Sequence, residues 1–292
     1  MWLSLVPVPA MLSTVLRSVL LCSVLLLSAC AQLPDGASRL AHSQQLLQAS
    51  GWQGQFLQAG DFRLFSAGPV SQVAGNQPIT VYLEGDGLAW LNSDTPSDDP
   101  TPLRPTGLQL ALQQPDGVAV YLARPCQFAQ PMPAQCQQRW WTSERFAEPV
   151  VAALDQALDQ LKQQYGAGQI NLVGYSGGAA LALLLAERRS DVQLLIGVAG
   201  NVDPAGWIRL HGLSPLQGSL DPQQGLQHLH ARHVWLFSGE QDENIPPTLA
   251  AGVAERLTAQ LPASLRTLPG FTHQCCWAEA WPVLWREAAT IK

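Results

Sequence analysis

The sequence predicts an α/β fold in which helices cover both faces of a mostly parallel sheet of about seven or eight strands. Two observations lead to this prediction. Short apolar runs alternate along the chain with longer segments of helical periodicity. Several of the apolar runs are rich in β-branched residues and end at glycine, as buried strands do. Parallel strands need crossover connections, and the helical segments stand where such connections are required.

The predicted elements follow one another in a regular order. In that order, the strands cover 62–67, 78–85, 118–125, 169–175, 194–200 and 233–239, with another short strand just before the segment LPGFTHQ. The predicted helices cover 144–166, 177–189, 246–261 and 277–289. Pro149 favours a regular helix that begins there and Gly166 favours its end, while Pro282 interrupts the last helix.

The N-terminal residues 1–29 are predicted to be a lipoprotein signal peptide. Arg17 is their only charged residue, and it precedes an apolar stretch that is shorter than the roughly 20 residues needed to span a bilayer. The ending LSAC resembles the lipobox of bacterial lipoproteins. That resemblance implies acyl chains on Cys30 as a membrane anchor and, because Ala31 is not aspartate, an outer-membrane location facing the periplasm of a Gram-negative bacterium. An ordinary signal peptide and an uncleaved anchor stay open as alternatives.

After the signal peptide, residues 30–55 are rich in Gln, Ala and Ser and are predicted to be a tether, with the folded domain over 56–292. Export would place the remaining cysteines in an oxidising compartment. Cys126 and Cys136 flank a proline-containing loop and are predicted to pair. Cys275 and Cys276 then either bond to each other or stay free, and pairing between the two sets is the rival arrangement.

Composition narrows the classes of partner. Only 13% of residues are charged, and 22 acidic residues outnumber 16 basic ones, so nothing indicates a nucleic-acid partner. We expect no cofactor and no metal. The cysteines lack CxxC spacing, and the histidines of HLHARH lead into a predicted strand, whose alternate side chains face opposite ways.

Five residues, Gly174-Tyr175-Ser176-Gly177-Gly178, join a predicted strand directly to a predicted helix. They fit the pattern G-x-S-x-G, in which a strained turn exposes a nucleophilic serine. The glycines at 174 and 178 would allow strand and helix to approach closely. The start of the helix would supply free N–H groups and a positive dipole end where an oxyanion could form. We therefore predict that Ser176 is the nucleophile of an active site.

Together with two later segments, this motif resembles the α/β-hydrolase superfamily, in which an acid follows a later strand and a histidine comes last. The segment GEQDENIP carries Asp242 and resembles the acid turn of that family, and His273 lies on a loop before the last helix. The resemblance covers most of the mature chain and implies the α/β-hydrolase fold with Ser176, Asp242 and His273 as catalytic residues. Asp203, which also follows a strand, stays a rival for the acid.

The loop LEGDGL stands where many members of the superfamily carry a His-Gly motif. The resemblance implies an oxyanion hole formed by the N–H of Gly177 with that of Asp86 or Gly87. Glu84 replaces the histidine, and a carboxylate near a developing oxyanion would oppose catalysis. Glu84 and Asp86 must therefore point away or be neutralised, and we predict that Arg124 pairs with Glu84.

These features predict a membrane-anchored serine hydrolase that cleaves a carboxylic ester, or a related acyl bond, of a small-molecule substrate. The alternatives are an acyltransferase with the same residues and a non-catalytic envelope lipoprotein that keeps the fold. Few charged residues fall near the predicted site, so a strongly charged substrate is not expected. Trp207 and His211 are predicted to border the pocket.

Overall fold

A computed structural model describes residues 33–70 and 77–290 of the chain. The predicted signal peptide over 1–29 and the predicted lipidation site, Cys30, lie outside the described residues. Within the described part, no helix combines the length and the apolar character needed to cross a membrane.

One eight-stranded sheet runs through the domain in the order β1-β2-β4-β3-β5-β6-β7-β8. Its strands are β1 Gln53–Ala59, β2 Phe62–Gly68, β3 Ile79–Leu83, β4 Val118–Leu122, β5 Ile170–Tyr175, β6 Val192–Val198, β7 His233–Gly239 and β8 Ala263–Leu268. Strand β2 pairs antiparallel with β1 and with β4, and all the other pairs are parallel. The predicted mostly parallel sheet is confirmed.

Among residues 33–70 and 77–290, seven α-helices cover the two faces of this sheet. They are α1 Gly36–Ala49, α2 Thr106–Leu112, α3 Glu148–Tyr165, α4 Gly177–Ala186, α5 Pro204–His211, α6 Pro247–Thr258 and α7 Trp277–Ala289, with 3₁₀ turns at Gln138–Trp141 and Leu226–His228. Neighbouring strand residues face opposite cores: Val81 packs in the core that contains α3, α4 and α6, and Tyr82 packs in the core that contains α1, α2 and α7. The predicted three-layer α/β fold is therefore confirmed.

Helix boundaries follow the turn chemistry of the sequence. Pro149 stands in the first turn of α3, and Gly166 ends that helix in the left-handed conformation, with φ of 69°. All residues of α4 are buried, which explains why its sequence is apolar on every side. The predicted Cys126–Cys136 disulfide is present, and Cys275 bonds to Cys276, so the cross-pairing alternative is wrong.

Helix α1 corrects the predicted tether. Its residues Arg39, Ser43 and Leu47 are buried at the three- or four-residue spacing of one helix face. Arg39 donates a hydrogen bond to the carbonyl of Thr101, far along the sequence. The folded domain thus includes α1 and the beginning of β1. The predicted tether over 30–55 is therefore wrong where it overlaps these two elements. Polar side chains at two of the buried positions concealed the apolar stripe.

Candidate active site

The predicted elbow is present at Ser176, where β5 ends and α4 begins. Ser176 has φ of 51° and ψ of −123°, a conformation that is uncommon outside glycine. A methyl group on Gly174 would lie 2.3 Å from the carbonyl oxygen of Gly178, and one on Gly178 would lie 2.5 Å from that of Leu83. Both positions therefore require glycine, and the turn presents the serine side chain at the carboxyl ends of the parallel strands.

His273 and Asp242 complete a hydrogen-bonded chain with Ser176. The Nε2 atom of His273 lies 3.0 Å from Oγ of Ser176, and its Nδ1 atom lies 2.9 Å from Oδ2 of Asp242. The Asp242 side chain is fully buried, and its other oxygen accepts hydrogen bonds from the backbone N–H groups of Asn244 and Ile245 at 3.0 and 2.8 Å. The acid turn after β7 therefore holds the carboxylate with one oxygen aimed at the imidazole.

Asp203, the rival acid, has a different task. Its Oδ1 atom accepts a hydrogen bond from the N–H of Gly206 at 2.8 Å and caps the N-terminus of α5. Among the described residues, the His273 ring forms hydrogen bonds with Asp242 and Ser176 only. The geometry favours Asp242 over Asp203 as the partner of the histidine.

Two aromatic residues that the sequence did not single out hold the backbone of His273. The hydroxyl of Tyr175 donates to the His273 carbonyl at 2.9 Å, and Nε1 of Trp277 donates to the same oxygen at 3.1 Å. The rings of Tyr175 and His273 also lie against each other, with centroids 5.5 Å apart. Tyr175 directly precedes the serine and Trp277 begins α7, but neither position has a pattern that reveals a contact across the fold.

Glu84 is held away from the serine, but not by the predicted partner. Its buried carboxylate accepts hydrogen bonds from the N–H groups of Gly85 and Gly107 and from the hydroxyl of Tyr121, at 2.9, 3.1 and 3.0 Å. Burial raises the pKa of Glu84, and these donors partly oppose that shift. Arg124 forms no ion pair with Glu84, so the predicted pair is wrong; Glu84 instead faces the start of α2.

Arg124 pairs with Asp86. Asp86, Arg124 and Arg145 form what we call the Asp86 cluster, in which Arg124 and Arg145 bind one carboxylate oxygen each, Arg145 at 2.7 Å. Burial alone would raise the pKa of Asp86, but Arg145 and Arg124 hold it below its ordinary value. The carboxylate is therefore neutralised, as the expectation for this loop required, and both guanidinium groups are buried.

The Asp86 cluster lies directly against the elbow. A methyl group on Gly177 would lie 2.3 Å from Oδ1 of Asp86 and 3.1 Å from a guanidinium nitrogen of Arg124. The side-chain amide of Gln127 donates to the carbonyl of Gly85 at 2.9 Å and fixes the same loop from the other side. We call residues 84–88 the β3 loop, because they follow β3.

Three backbone N–H groups at this junction are available as donors. Gly177 is the first residue of α4, so its N–H has no acceptor within the helix. The N–H groups of Asp86 and Gly87 donate no hydrogen bond in the described part of the chain. The structure thus leaves unpaired, beside Ser176, the donors that the sequence predicts for an oxyanion hole.

A cavity of about 710 Å³ opens over the serine. Ser176, His273, the β3 loop, the segment 102–106 and the first turn of α7 line it. No tryptophan lines it, and the predicted bordering residues Trp207 and His211 instead contact Asn244, which does line it. The site is a partly enclosed cleft with polar and apolar walls.

Known structures share the fold of this protein at low sequence identity. No protein-family model and no curated protein matches the sequence. Est1E from Butyrivibrio proteoclasticus superposes with a TM-score of 0.54 at 14% identity, over 82% of this chain and 99% of that one. A bacterial membrane phospholipase A gives 0.53 at 15% identity, over 94% and 100%. An α/β serine hydrolase homologue from Coxiella burnetii gives 0.50 at 14% identity, over 80% and 94%. The chain has the α/β-hydrolase fold.

Proposed function

We propose that this protein is a serine hydrolase that cleaves carboxylic esters with Ser176, His273 and Asp242 as its catalytic residues. One observation carries the proposal: two hydrogen bonds, of 3.0 and 2.9 Å, link the serine oxygen through both nitrogens of the imidazole to a buried carboxylate. A structural serine in a tight turn needs neither a histidine nor an aspartate behind it. The likeness to a phospholipase and to a serine hydrolase homologue supports the same reaction class.

The proposed mechanism has two halves. Oγ of Ser176 attacks the ester carbonyl while Nε2 of His273 takes the hydroxyl proton, and Asp242 orients and stabilises the imidazolium. The tetrahedral intermediate collapses when His273 gives that proton to the departing alcohol. Water then attacks the acyl-serine, His273 again takes and returns the proton, and the carboxylic acid leaves.

Backbone donors would stabilise the negative charge that develops on the carbonyl oxygen in both halves. The N–H of Gly177, with that of Asp86 or Gly87, is suited to this task because Gly177 follows Ser176, Asp86 and Gly87 line the same cavity as Ser176, and none of the three N–H groups has an acceptor among the described residues. Loss of one such donor in other hydrolases costs about 3 kcal/mol of transition-state stabilisation. The two arginines of the Asp86 cluster neutralise the Asp86 carboxylate, which would otherwise oppose this charge.

We further propose that the enzyme is an outer-membrane lipoprotein anchored through acyl chains on Cys30 and facing the periplasm. The LSAC sequence and the short apolar stretch before it support this location. Cys30→Ala should abolish incorporation of a palmitate analogue and release the protein from the membrane fraction. A variant that stays lipidated would contradict the anchor.

Hydrolysis of 4-nitrophenyl acetate by the purified mature protein tests the enzyme proposal. The native chain should release nitrophenol well above the background rate, and Ser176→Ala should not. Circular dichroism of both proteins provides the control for folding. Equal rates for the two proteins, or no turnover of any simple ester by the folded native chain, would contradict the proposal and favour a binding role for the fold.

A further inference from the structure

One positive charge in the cavity has no partner. Arg104 is the only arginine or lysine among the described residues that line the cavity, and its side chain is exposed. Within the described residues, its guanidinium forms neither an ion pair nor a hydrogen bond. The two arginines of the Asp86 cluster differ in this respect, because Arg124 and Arg145 are buried and bound to Asp86. Arg104 is thus the one guanidinium in this cleft that is free to bind a ligand.

The segment that carries Arg104 is rigid. Pro102 and Pro105 restrict the backbone on both sides, and a residue before proline is confined to extended conformations. Thr101, just upstream, is buried, and its hydroxyl accepts the N–H of Phe128 at 2.7 Å. Downstream, the N–H of Thr106 donates to the carbonyl of Arg104 at 2.9 Å. A guanidinium presented from such a segment loses little backbone freedom on binding a ligand.

The acidic residues of the cavity do not cancel this charge. Glu84 is buried and accepts hydrogen bonds from backbone N–H groups and Tyr121, and Asp86 is neutralised by its two arginines. Glu279, in the first turn of α7, is exposed in the same cavity but forms no ion pair with Arg104. The residues that line the cavity therefore include one unpaired cation, Arg104, and one exposed carboxylate, Glu279.

We propose that Arg104 binds an anionic group of the substrate, a carboxylate or a phosphate, so that the site selects esters that carry a negative charge. Guanidinium binds both groups through two parallel N–H···O bonds, and Thr106, Gln109 and Gln274 supply further polar groups in the same cavity. Glu279 opposes the binding of an anion, so we expect the anionic group to lie closer to Arg104 than to Glu279. This selectivity rests on the proposed hydrolase function and differs from the expectation that the substrate carries no strong charge.

Two pairs of esters test the proposal, one for each side of the scissile bond. Mono-4-nitrophenyl glutarate is compared with 4-nitrophenyl butyrate, and 4-acetoxybenzoate with its methyl ester. The native enzyme should prefer the anionic member of at least one pair. Arg104→Gln should lower kcat/KM for that member about five- to tenfold, mainly through KM, and change the neutral member less than twofold. Added salt should weaken the preference, because Arg104 is exposed.

Two further variants sharpen the result. Arg232→Gln is the matched control, because Arg232 is exposed just before β7, at the opposite end of the parallel strands, and should leave both ratios unchanged. Glu279→Gln should raise the preference for the anionic ester about two- to threefold by removing the opposing charge. If neither anionic-to-neutral ratio falls in Arg104→Gln, the proposed subsite is wrong. That result differs from failure of the hydrolase proposal, in which no ester, charged or neutral, is turned over.

Discussion

The Ser176 elbow and the β3 loop lie against each other, but their conformations depend on different parts of the chain. Five consecutive residues form the elbow, and two of its glycines, Gly174 and Gly178, lie so close to neighbouring backbone that no side chain would fit. The β3 loop instead depends on Arg124 and Arg145, which lie 38 and 59 residues beyond Asp86 in the sequence. The proposed site therefore combines a serine turn formed by neighbouring residues with charged groups that come from distant segments of the chain.

The largest expected effect concerns the acid behind the elbow. Asp242→Asn should lower kcat about 10⁴-fold with little change in stability, because an amide stabilises the wrong imidazole tautomer and cannot stabilise the imidazolium. Asp203→Asn is the matched control and should change kcat less than threefold, since asparagine also caps a helix. Initial rates of ester hydrolysis for both variants provide the measurement. A large loss in Asp203→Asn with none in Asp242→Asn would move the acid to Asp203.

The second largest effect is expected from Arg124, which binds Asp86 of the β3 loop. Arg124→Met should destabilise the protein by about 3 kcal/mol, because it leaves the Asp86 carboxylate with one partner fewer in a buried site. It should also lower kcat more than it raises KM, since the β3 loop would lose its fixed position beside Gly177. Urea denaturation and initial rates check the two parts. Arg232→Met is the control, because Arg232 is exposed and lies away from the site. If Arg124→Met lowers the free energy of unfolding by less than about 1 kcal/mol, the Asp86 cluster does not hold the β3 loop.

The third effect tests the local elbow. Gly174→Ala should destabilise the protein by about 2 to 3 kcal/mol, because the new methyl group would meet backbone atoms of Gly178 and Ala179. Gly252→Ala in α6 is the opposite control, since its methyl group would meet only the end of Arg256, at 3.9 Å. That change should stabilise the helix by about 0.5 to 1 kcal/mol. Thermal unfolding measures the stability of each variant. Equal stabilities of Gly174→Ala and Gly252→Ala would contradict the close backbone contact at the elbow.

The smallest effect comes from a carboxylate that lacks the partners of Asp86. Glu187 follows α4, and burial, with the nearby Asp221 adding to it, raises its pKa to about 7 despite Arg188. Because the folded state holds this proton more tightly than the unfolded state, stability falls as pH rises from about 4.5 to 7. Glu187→Gln should therefore stabilise the protein above pH 7 and leave its stability unchanged near pH 4. The gain should be at most about 1 kcal/mol, because Glu187 is partly exposed and solvent screens its charge.

Denaturation of native and Glu187→Gln protein at pH 4, 6 and 8 measures this difference. A constant difference across the series would show that Glu187 titrates normally in the folded protein. Asp86 provides the contrast, because its arginines hold its pKa below the ordinary value and its pairing is retained throughout this range.

The sequence predicts features that depend on neighbouring residues better than features that depend on distant ones. Apolar runs and helical periodicity predict most of the strands and four of the seven helices in the described part of the chain, α3, α4, α6 and α7, and the motifs around Ser176, Asp242 and His273 predict residues that the structure brings together. Local patterns failed where polar residues are buried, as in α1, and where the partner is distant. The sequence places Arg124 at the end of the strand next to the one that Glu84 follows, yet whether Arg124 pairs with Glu84 or with Asp86 depends on side-chain directions that spacing does not reveal.

The central claim is that Ser176 is an activated nucleophile, and covalent labelling tests it most directly. The mature protein is treated with a fluorophosphonate and digested, and the modified peptide is mapped by mass spectrometry. We predict a single adduct on Ser176 in the native chain, its loss in Ser176→Ala and strong slowing in His273→Ala, the variant that lacks the base. No adduct in folded native protein, or an adduct on another serine that persists in Ser176→Ala, would contradict the account.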